Sequence, residues 1–274
     1  MARELDAVLA LALRLAREAG AIQRSRYETG FRIDTKSRPV DLVTEVDHAC
    51  EAHLVVALLR ERPRDAVLAE EGRGTDTPGA TFRWVIDPLD GTTNFAHGYP
   101  RFAVSIGVEQ DGEPALGVVY DPLLDECYHA LAGGGAFRNG QPIRVSPETA
   151  FDRALLATGF AYDKRENDDN LAEFRAVLKS ARELRRDGSA SLDLCYVACG
   201  RLEGYWEHKL KPWDVAAGGL IVREAGGRVT DRSGGPAWRS GAEIVATNGH
   251  LHDALLAVLR ASGARGEPQA NGVP

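Results

Sequence analysis

Several acidic residues of this chain stand where apolar runs stop, a placement suited to gripping a hard metal ion. Trp84-Val85-Ile86 is a strand-like stretch that ends at Asp87-Pro88-Leu89-Asp90, turns at Gly91 and continues as Thr92-Thr93-Asn94. Glu70-Glu71 precedes it and Trp213-Asp214 lies far downstream. Two carboxylates about 4 Å apart repel by roughly 4 kcal/mol at an effective dielectric near 20, so such a cluster needs a cation to persist. Oxygen ligands alone select a hard ion, Mg²⁺ first, and magnesium commonly takes phosphate oxygens as further partners. Metal-dependent phosphate chemistry is the reading these residue types support. Asp87 and Asp90 can converge on one ion across a proline-stiffened turn, with the Leu89 carbonyl free to join them once the strand ladder has ended. Gly91-Thr92-Thr93 would open a short helical turn whose free amides seat a phosphate. Taken alone, the same run also reads as an Asp-capped loop with a turn-forming glycine.

The elements that must position these groups follow from periodicity. Leu5, Leu9, Leu13 and Ala16 recur at helical spacing, predicting a first helix that stops near Gly20. Residues Phe31 to Pro39 read as a polar surface loop. Asp41 to Arg60 reads as a second helix with Val46, Cys50, Leu54, Ala57 and Leu58 on its apolar side. Short buried strands are expected at Asp65–Ala69 and Phe82–Ile86. From Phe102 to Val145 the period changes to two, with Asp111-Gly112 and Asn139-Gly140 as hairpin turns, so an antiparallel meander is expected. Beyond Pro147 strands and helices alternate. Strands are expected at 154–158, 183–185, 203–207, near Val229 and at 244–246, and helices at 170–179, 189–199, 215–224 and 251–260. This mixture predicts a layered α+β or α/β architecture. The N-terminal part, 1–146, would carry most candidate metal ligands. The C-terminal part, 147–261, would carry Asp214, and the Gly/Pro-rich tail, 262–274, would be disordered.

Composition narrows the function class. The chain of 274 residues can bury a large core, and its formal charge, 33 − 40 = −7, argues against a nucleic-acid-binding surface. No stretch reaches the ~20 continuous apolar residues of a membrane span. The first residues alternate charge and leucine, unlike a secretory signal. Cys50, Cys127, Cys195 and Cys199 form no disulfide framework or zinc-ligand set, and buried thiols in a reducing cytoplasm are expected. His97 is expected to be structural. Gly133-Gly134-Gly135 lacks the Lys-Ser/Thr of a P-loop and reads as a wide turn.

The run Trp84-Val-Ile-Asp-Pro-Leu-Asp-Gly-Thr-Thr-Asn-Phe95 resembles the first signature of the inositol monophosphatase family, and Trp213-Asp-Val-Ala-Ala-Gly-Gly-Leu-Ile-Val-Arg-Glu-Ala-Gly-Gly227 its second. The likeness extends through Lys36-Ser-Arg-Pro-Val-Asp-Leu-Val-Thr44, Ala69-Glu70-Glu71-Gly72 and Arg185-Arg-Asp-Gly-Ser-Ala-Ser-Leu-Asp193. It covers nearly the whole chain. The resemblance implies an αβαβα layered sandwich, sugar-phosphatase-like, a homodimer, and two or three Mg²⁺ ions per site subject to displacement by lithium. It implies that Glu70, Asp87 and the Leu89 carbonyl hold a first Mg²⁺ ion, Asp87, Asp90 and Asp214 a second, and Glu70 with water a third. It makes Thr92 the group that orients the attacking water and Asp47 its hydrogen-bond acceptor. On the residues alone, Asp47 reads first as a solvated helix residue. Substrate contacts would come from Asp90, Gly91, Thr92, Gly188-Ser189-Ala190 and Glu207, although Glu207 also reads as a solvated glutamate paired with Lys209 or Lys211. Lys36 is either a mobile lysine near the third metal or an exposed loop residue, and Glu71 either supports the ligands or is solvated. A small phosphorylated polyol is the implied substrate, myo-inositol 1-phosphate foremost. Histidinol phosphate, fructose bisphosphate or a nucleotide are the alternatives, as is an added role with the transcription machinery.

Overall fold

Among the described residues, two large β-sheets, of seven and five strands, alternate with three helical layers, beside a small two-stranded sheet. The computed structural model describes residues 2–36, 40–163 and 170–263; Ser37-Arg38-Pro39 of the resembling stretch and residues 264–274 of the expected tail lie outside them. Helices α1 (Ala2–Arg26) and α2 (Glu45–Glu61) cover one face of a seven-stranded sheet. That sheet runs β3 (Ala66–Ala69), β4 (Phe82–Asp90), β5 (Ala103–Gln110), β6 (Glu113–Asp121), β7 (Glu126–Leu131), β8 (Gly135–Arg138) and β9 (Gln141–Ile143), in that order across the sheet. Only β3 and β4 are parallel; the rest is the expected meander.

The opposite face packs on α5 (Ala190–Ala198) and α6 (Pro212–Glu224). Beneath these lies a five-stranded sheet ordered β11 (Glu183–Arg185), β10 (Leu155–Thr158), β12 (Gly204–His208), β14 (Glu243–Thr247) and β13 (Arg228–Thr230). Its outer face is covered by α4 (Leu171–Leu178) and α7 (His252–Gly263). The fold is thus the αβαβα sandwich. Each layer owes its place to apolar residues on both faces: Trp84, Ile86, Ile106 and Val118 point at α1 and α2, while Ala103, Val119, Tyr128 and Ala130 point at α5 and α6.

The structure corrects several boundaries. Helix α1 passes through Gly20 to Arg26, because a Cβ at residue 20 would sit 2.5 Å from the Tyr120 ring; this glycine permits close packing and does not end the helix. The loop around Phe31 contains β1 (Ile33–Thr35), which pairs antiparallel with β2 (Leu42–Thr44). Helix α2 therefore starts at Glu45, behind a capping box in which Thr44 and Asp47 bond reciprocally. Helix α6 starts at Pro212, placing Trp213 and Asp214 in its first turn. Ser262, expected in the tail, is buried within α7 and donates to the Leu259 carbonyl at 2.8 Å. Among the described residues no helix is long and apolar enough to cross a membrane.

Candidate metal and phosphate site

Strand β4 delivers Asp87 and Asp90 to the junction between the seven-stranded sheet and the α5–α6 layer. Its pairing with β5 shifts between these residues, so the strand does not stop at Ile86 but continues as a bulge to Asp90. Buried Gln23 of α1 braces the bulge, donating to the Pro88 carbonyl at 2.8 Å and the Ala103 carbonyl at 3.3 Å. Gly91 then takes a left-handed conformation, φ 94°, and caps α3 (Thr92–Ala96).

Each aspartate commits one oxygen to the protein. Asp87 Oδ1 accepts the Leu89 amide at 2.9 Å. Asp214 Oδ2 accepts the Lys211 amide at 2.6 Å. Asp90 Oδ2 accepts the Ser189 hydroxyl at 2.7 Å, the Ser191 amide at 2.8 Å and the Ser191 hydroxyl at 2.5 Å. Asp90 also takes a backbone bond from Ala190, and the Asp87 and Glu70 side chains lie within hydrogen-bond reach of each other. Carboxylates held in place by protein donors are well suited to ligating a cation.

Electrostatics point the same way. Burial, then the charges of Glu70, Asp90 and Asp214, pushes the Asp87 carboxyl well above its ordinary range. Burial, then Glu70 and Asp90, does the same to Asp214. Burial also raises Asp90, against the lowering effect of the serine hydrogen bonds. Glu70 is pushed up to about 7 by burial, with Lys36 pulling the other way. Lys36 donates to Glu70 at 2.6 Å and Glu71 at 2.5 Å, so it is neither an exposed loop lysine nor idle. Buried Glu51 holds the turn that bears them, accepting the Glu71 amide at 2.6 Å and the Arg73 amide at 3.0 Å. Among the described residues no three acidic, histidine or cysteine side chains already have the spacing of one coordination sphere. Glu70 and Asp87 are within hydrogen-bond reach, and Lys36 is the cation between Glu70 and Glu71. An all-oxygen set whose members each resist ionisation fits hard divalent ions, which would draw it together.

Thr92 lies at the centre. Its hydroxyl is 2.9 Å from Asp47 Oδ1 and 3.1 Å from the Leu89 carbonyl. The second Asp47 oxygen accepts the Thr44 amide at 2.9 Å and the Thr44 hydroxyl at 2.5 Å. Asp47 is fully buried, which raises its carboxyl while the threonine bonds oppose the rise. It is not a solvated helix residue. One carboxylate both caps α2 and fixes the Thr92 hydroxyl.

The family model for inositol monophosphatases matches residues 4–264. The chain belongs to the inositol monophosphatase family. It is 44% identical to an inositol-1-monophosphatase of Synechocystis, over 94% of this chain and 91% of that one. It is 40% identical to the Nus factor SuhB of Vibrio cholerae, over 93% and 97%. The solved inositol monophosphatase of Anabaena (Nostoc) superposes with a TM-score of 0.85 at 43% identity, covering 94% of this chain and 97% of that one. As a family member the protein is a phosphatase of small phosphates, in a family that is generally metal-dependent.

Within this family member, the helix start at Gly188-Ser189-Ala190 has a task the sequence did not reveal. Ser189 and Ser191 face Asp90, so this corner of α5 positions a carboxylate as well as bordering the expected substrate side. Asn94 secures it, donating to the Asp187 carbonyl at 2.7 Å and the Gly188 carbonyl at 3.3 Å. Glu207 pairs with neither Lys209 nor Lys211; it accepts the hydroxyl of fully buried Tyr205. Burial pushes its carboxyl up to about 7, against the pull of Tyr205 and Arg186. The Gly133–Gly135 turn holds an anion of its own, because the Gly133 and Gly135 amides donate to Glu224 at 2.9 and 3.0 Å. His97 caps α3 through its backbone amide. All four cysteines are free thiols, Cys199 only half-buried. Gln23, Glu51 and Ser191 were missed; Glu51, a polar residue beside the apolar side of the second expected helix, carried an available signal, while Gln23 lay beyond the expected end of the first.

Proposed function

We propose that this protein hydrolyses myo-inositol 1-phosphate to inositol and phosphate. The observation that carries the reading is the hydrogen-bonded pair Thr92–Asp47 set among Glu70, Asp87, Asp90 and Asp214. Glu70, Asp87, the Leu89 carbonyl, Asp90 and Asp214 would hold two or three Mg²⁺ ions, which when bound neutralise charge on the phosphoryl and leaving-group oxygens. With its proton drawn toward Asp47 or the Leu89 carbonyl, the Thr92 hydroxyl presents lone pairs to a water and aims it at phosphorus. Glu70 is assigned to the same water. Gly91 and Thr92, at the start of α3, border the phosphate. As water attacks in line, the bond from phosphorus to the inositol oxygen breaks and the alkoxide takes up a proton. Glu207, with Ala190 and Gly188 beside Asp90, lies on the side assigned to the polyol hydroxyls.

The test is a kcat/KM panel of inositol 1-phosphate, histidinol phosphate, fructose 1,6-bisphosphate and a nucleoside monophosphate. The highest value on inositol 1-phosphate supports the reading, and a higher value on any other overturns it. Likeness to the Vibrio Nus factor favours a second reading, an added role with the transcription machinery. Capture of transcription proteins by both wild type and Asp90→Asn would support it, and capture by neither would remove it. The expected homodimer is a further proposal, settled by light scattering.

A further inference from the structure

The polar knot under Glu207 leads to a residue that belongs to neither family signature. β10 and β12 are parallel neighbours in register at Thr158 and Trp206, so Gly159, just past the end of β10, lies beside Glu207, which β12 still pairs with Ile244 of β14. The register is fastened by buried groups. Thr158 donates to the Trp206 carbonyl at 2.6 Å, and Asn170 donates to Thr158 Oγ1 at 2.7 Å and to the Gly159 carbonyl at 2.6 Å. The Trp206 indole donates back to Asn170 Oδ1 at 2.5 Å. Gly159 is thereby held with its Cα against the Glu207 carboxylate. A methyl group built on Gly159 would overlap both Glu207 oxygens. On the other side, the Tyr205 hydroxyl is bonded to Glu207 Oε2, and among the described residues no donor reaches Oε1.

We propose that Gly159 is a specificity-determining position: by lacking a side chain it leaves the space into which Glu207 folds, and with Tyr205 it aims Oε1 at a hydroxyl of the substrate. The inference rests on the proposed phosphatase reading and deepens it, since the ligand class it selects is a phosphate ester bearing vicinal hydroxyls. Gly159 acts through Glu207 and is a positioning residue. Its backbone lies outside the left-handed region, so alanine meets the Glu207 carboxylate first and is not excluded by its own φ.

The experiment compares Gly159→Ala with wild type on the polyol phosphate that wild type hydrolyses best and on 4-nitrophenyl phosphate, which has no alcohol groups, at one saturating Mg²⁺ concentration. Displacing a charged acceptor from a hydroxyl costs about tenfold or more in kcat/KM, carried by KM, for the polyol ester, while the aryl ester changes by less than about twofold. In a Glu207→Gln background the Gly159→Ala loss on the polyol ester should largely vanish, because both changes act on one contact. Tyr205→Phe, which keeps the space but releases Oε2, should reproduce the polyol-selective loss and decides the question if Gly159→Ala does not fold. Equal losses on both esters, no loss on the polyol ester, or additive losses with Glu207→Gln overturn the inference. A wild type that prefers a polyol phosphate other than inositol 1-phosphate refutes the substrate assignment while leaving the Gly159 comparison decisive on that ester. A wild type with no preference for polyol over aryl ester refutes both.

Discussion

Gly117→Ala tests how the sheet carries Asp214 to the other carboxylates. Helix α6 lies on β5 and β6 at two glycines. A Cβ at Gly107 would come within 2.7 Å of the Ala216 Cβ, and one at Gly117 within 2.6 Å of the Ala217 carbonyl oxygen and 2.9 Å of its Cα. Ser105 touches the same helix, donating to the Trp213 carbonyl at 3.3 Å. Ordinary carbon–oxygen contact is about 3.3 Å, so the methyl group must push α6 away by roughly 0.7 Å, and backbone on both sides prevents a side-chain escape. Overpacking of this kind costs about 1–3 kcal/mol. At about 2–4 °C per kcal/mol for a chain of this size, the Tm should fall by about 2–12 °C. Asp214 sits less than one turn from Ala217, and metal–ligand distances tolerate only about 0.2 Å, so the Mg²⁺ concentration for half-maximal activity should rise about 10–100-fold. Leu259→Ala is the control: it hollows the α4–α7 layer, fully buried but remote from the site, and should cost about 2–5 kcal/mol without moving the Mg²⁺ response. Melting curves and Mg²⁺ titrations of the two variants decide. A Gly117→Ala protein with wild-type Mg²⁺ dependence, or a Leu259→Ala protein whose dependence shifts equally, would refute the reasoning.

Thr92→Val, close in shape, removes the hydroxyl between Asp47 and the Leu89 carbonyl; kcat should fall about 10²-fold or more with KM little changed, and steady-state kinetics at saturating Mg²⁺ check it. Ser191→Ala removes one of three donors on Asp90 Oδ2 and should raise the half-saturating Mg²⁺ concentration about tenfold, with Ser191→Thr restoring much of it. His252 supplies a pH prediction away from the site. It is fully buried, its Nδ1 3.0 Å from the Thr247 hydroxyl and its Nε2 2.9 Å from Thr230 Oγ1. Thr230 spends its proton on the Asp231 carbonyl at 2.7 Å, so the neutral ring donates from Nε2 and accepts at Nδ1. Burial, then Arg228, lowers its pKa from 6.5 to about 4, with Asp253 opposing. The unfolded chain therefore binds the proton first, and stability that is full above pH 6.5 is lost as pH falls toward about 4, at up to about 1.4 kcal/mol per pH unit. Denaturant unfolding of wild type against His252→Gln should show a shallower slope for the variant in that window; parallel slopes contradict the assignment.

How much of this the amino-acid order discloses depends on whether each cause is local. The Asp87 and Asp90 carboxylates after an apolar run and the meander are readable because turn residues and alternation lie next to the groups they place, whereas the bulge that carries β4 on to Asp90 depends on its pairing with β5. Asp47 is harder: its pattern suits an exposed helix turn, and only the β1–β2 pair, three residues per strand, brings Thr44 into position to cap α2 and bury it. Those strands carry too little alternation to be seen. Gly20 misleads because a glycine in a helix commonly marks an end, whereas here Tyr120, a hundred residues away, demands the space. The serines on Asp90 and the carboxylate of Glu224 in the glycine turn are contacts between distant segments. No spacing rule reports them.

The central claim, that Glu70, Asp87, Asp90 and Asp214 act by holding divalent ions at a phosphate ester, is tested most directly by titrating chelator-stripped protein with Mg²⁺ in a calorimeter while phosphate release from inositol 1-phosphate is followed in parallel. Wild type should bind at least two ions per chain and gain activity as they bind, while Asp90→Asn, folded by its melting curve, should lose an ion and its turnover together. Full hydrolysis by the stripped protein, or near-normal binding and turnover in Asp90→Asn, would contradict it.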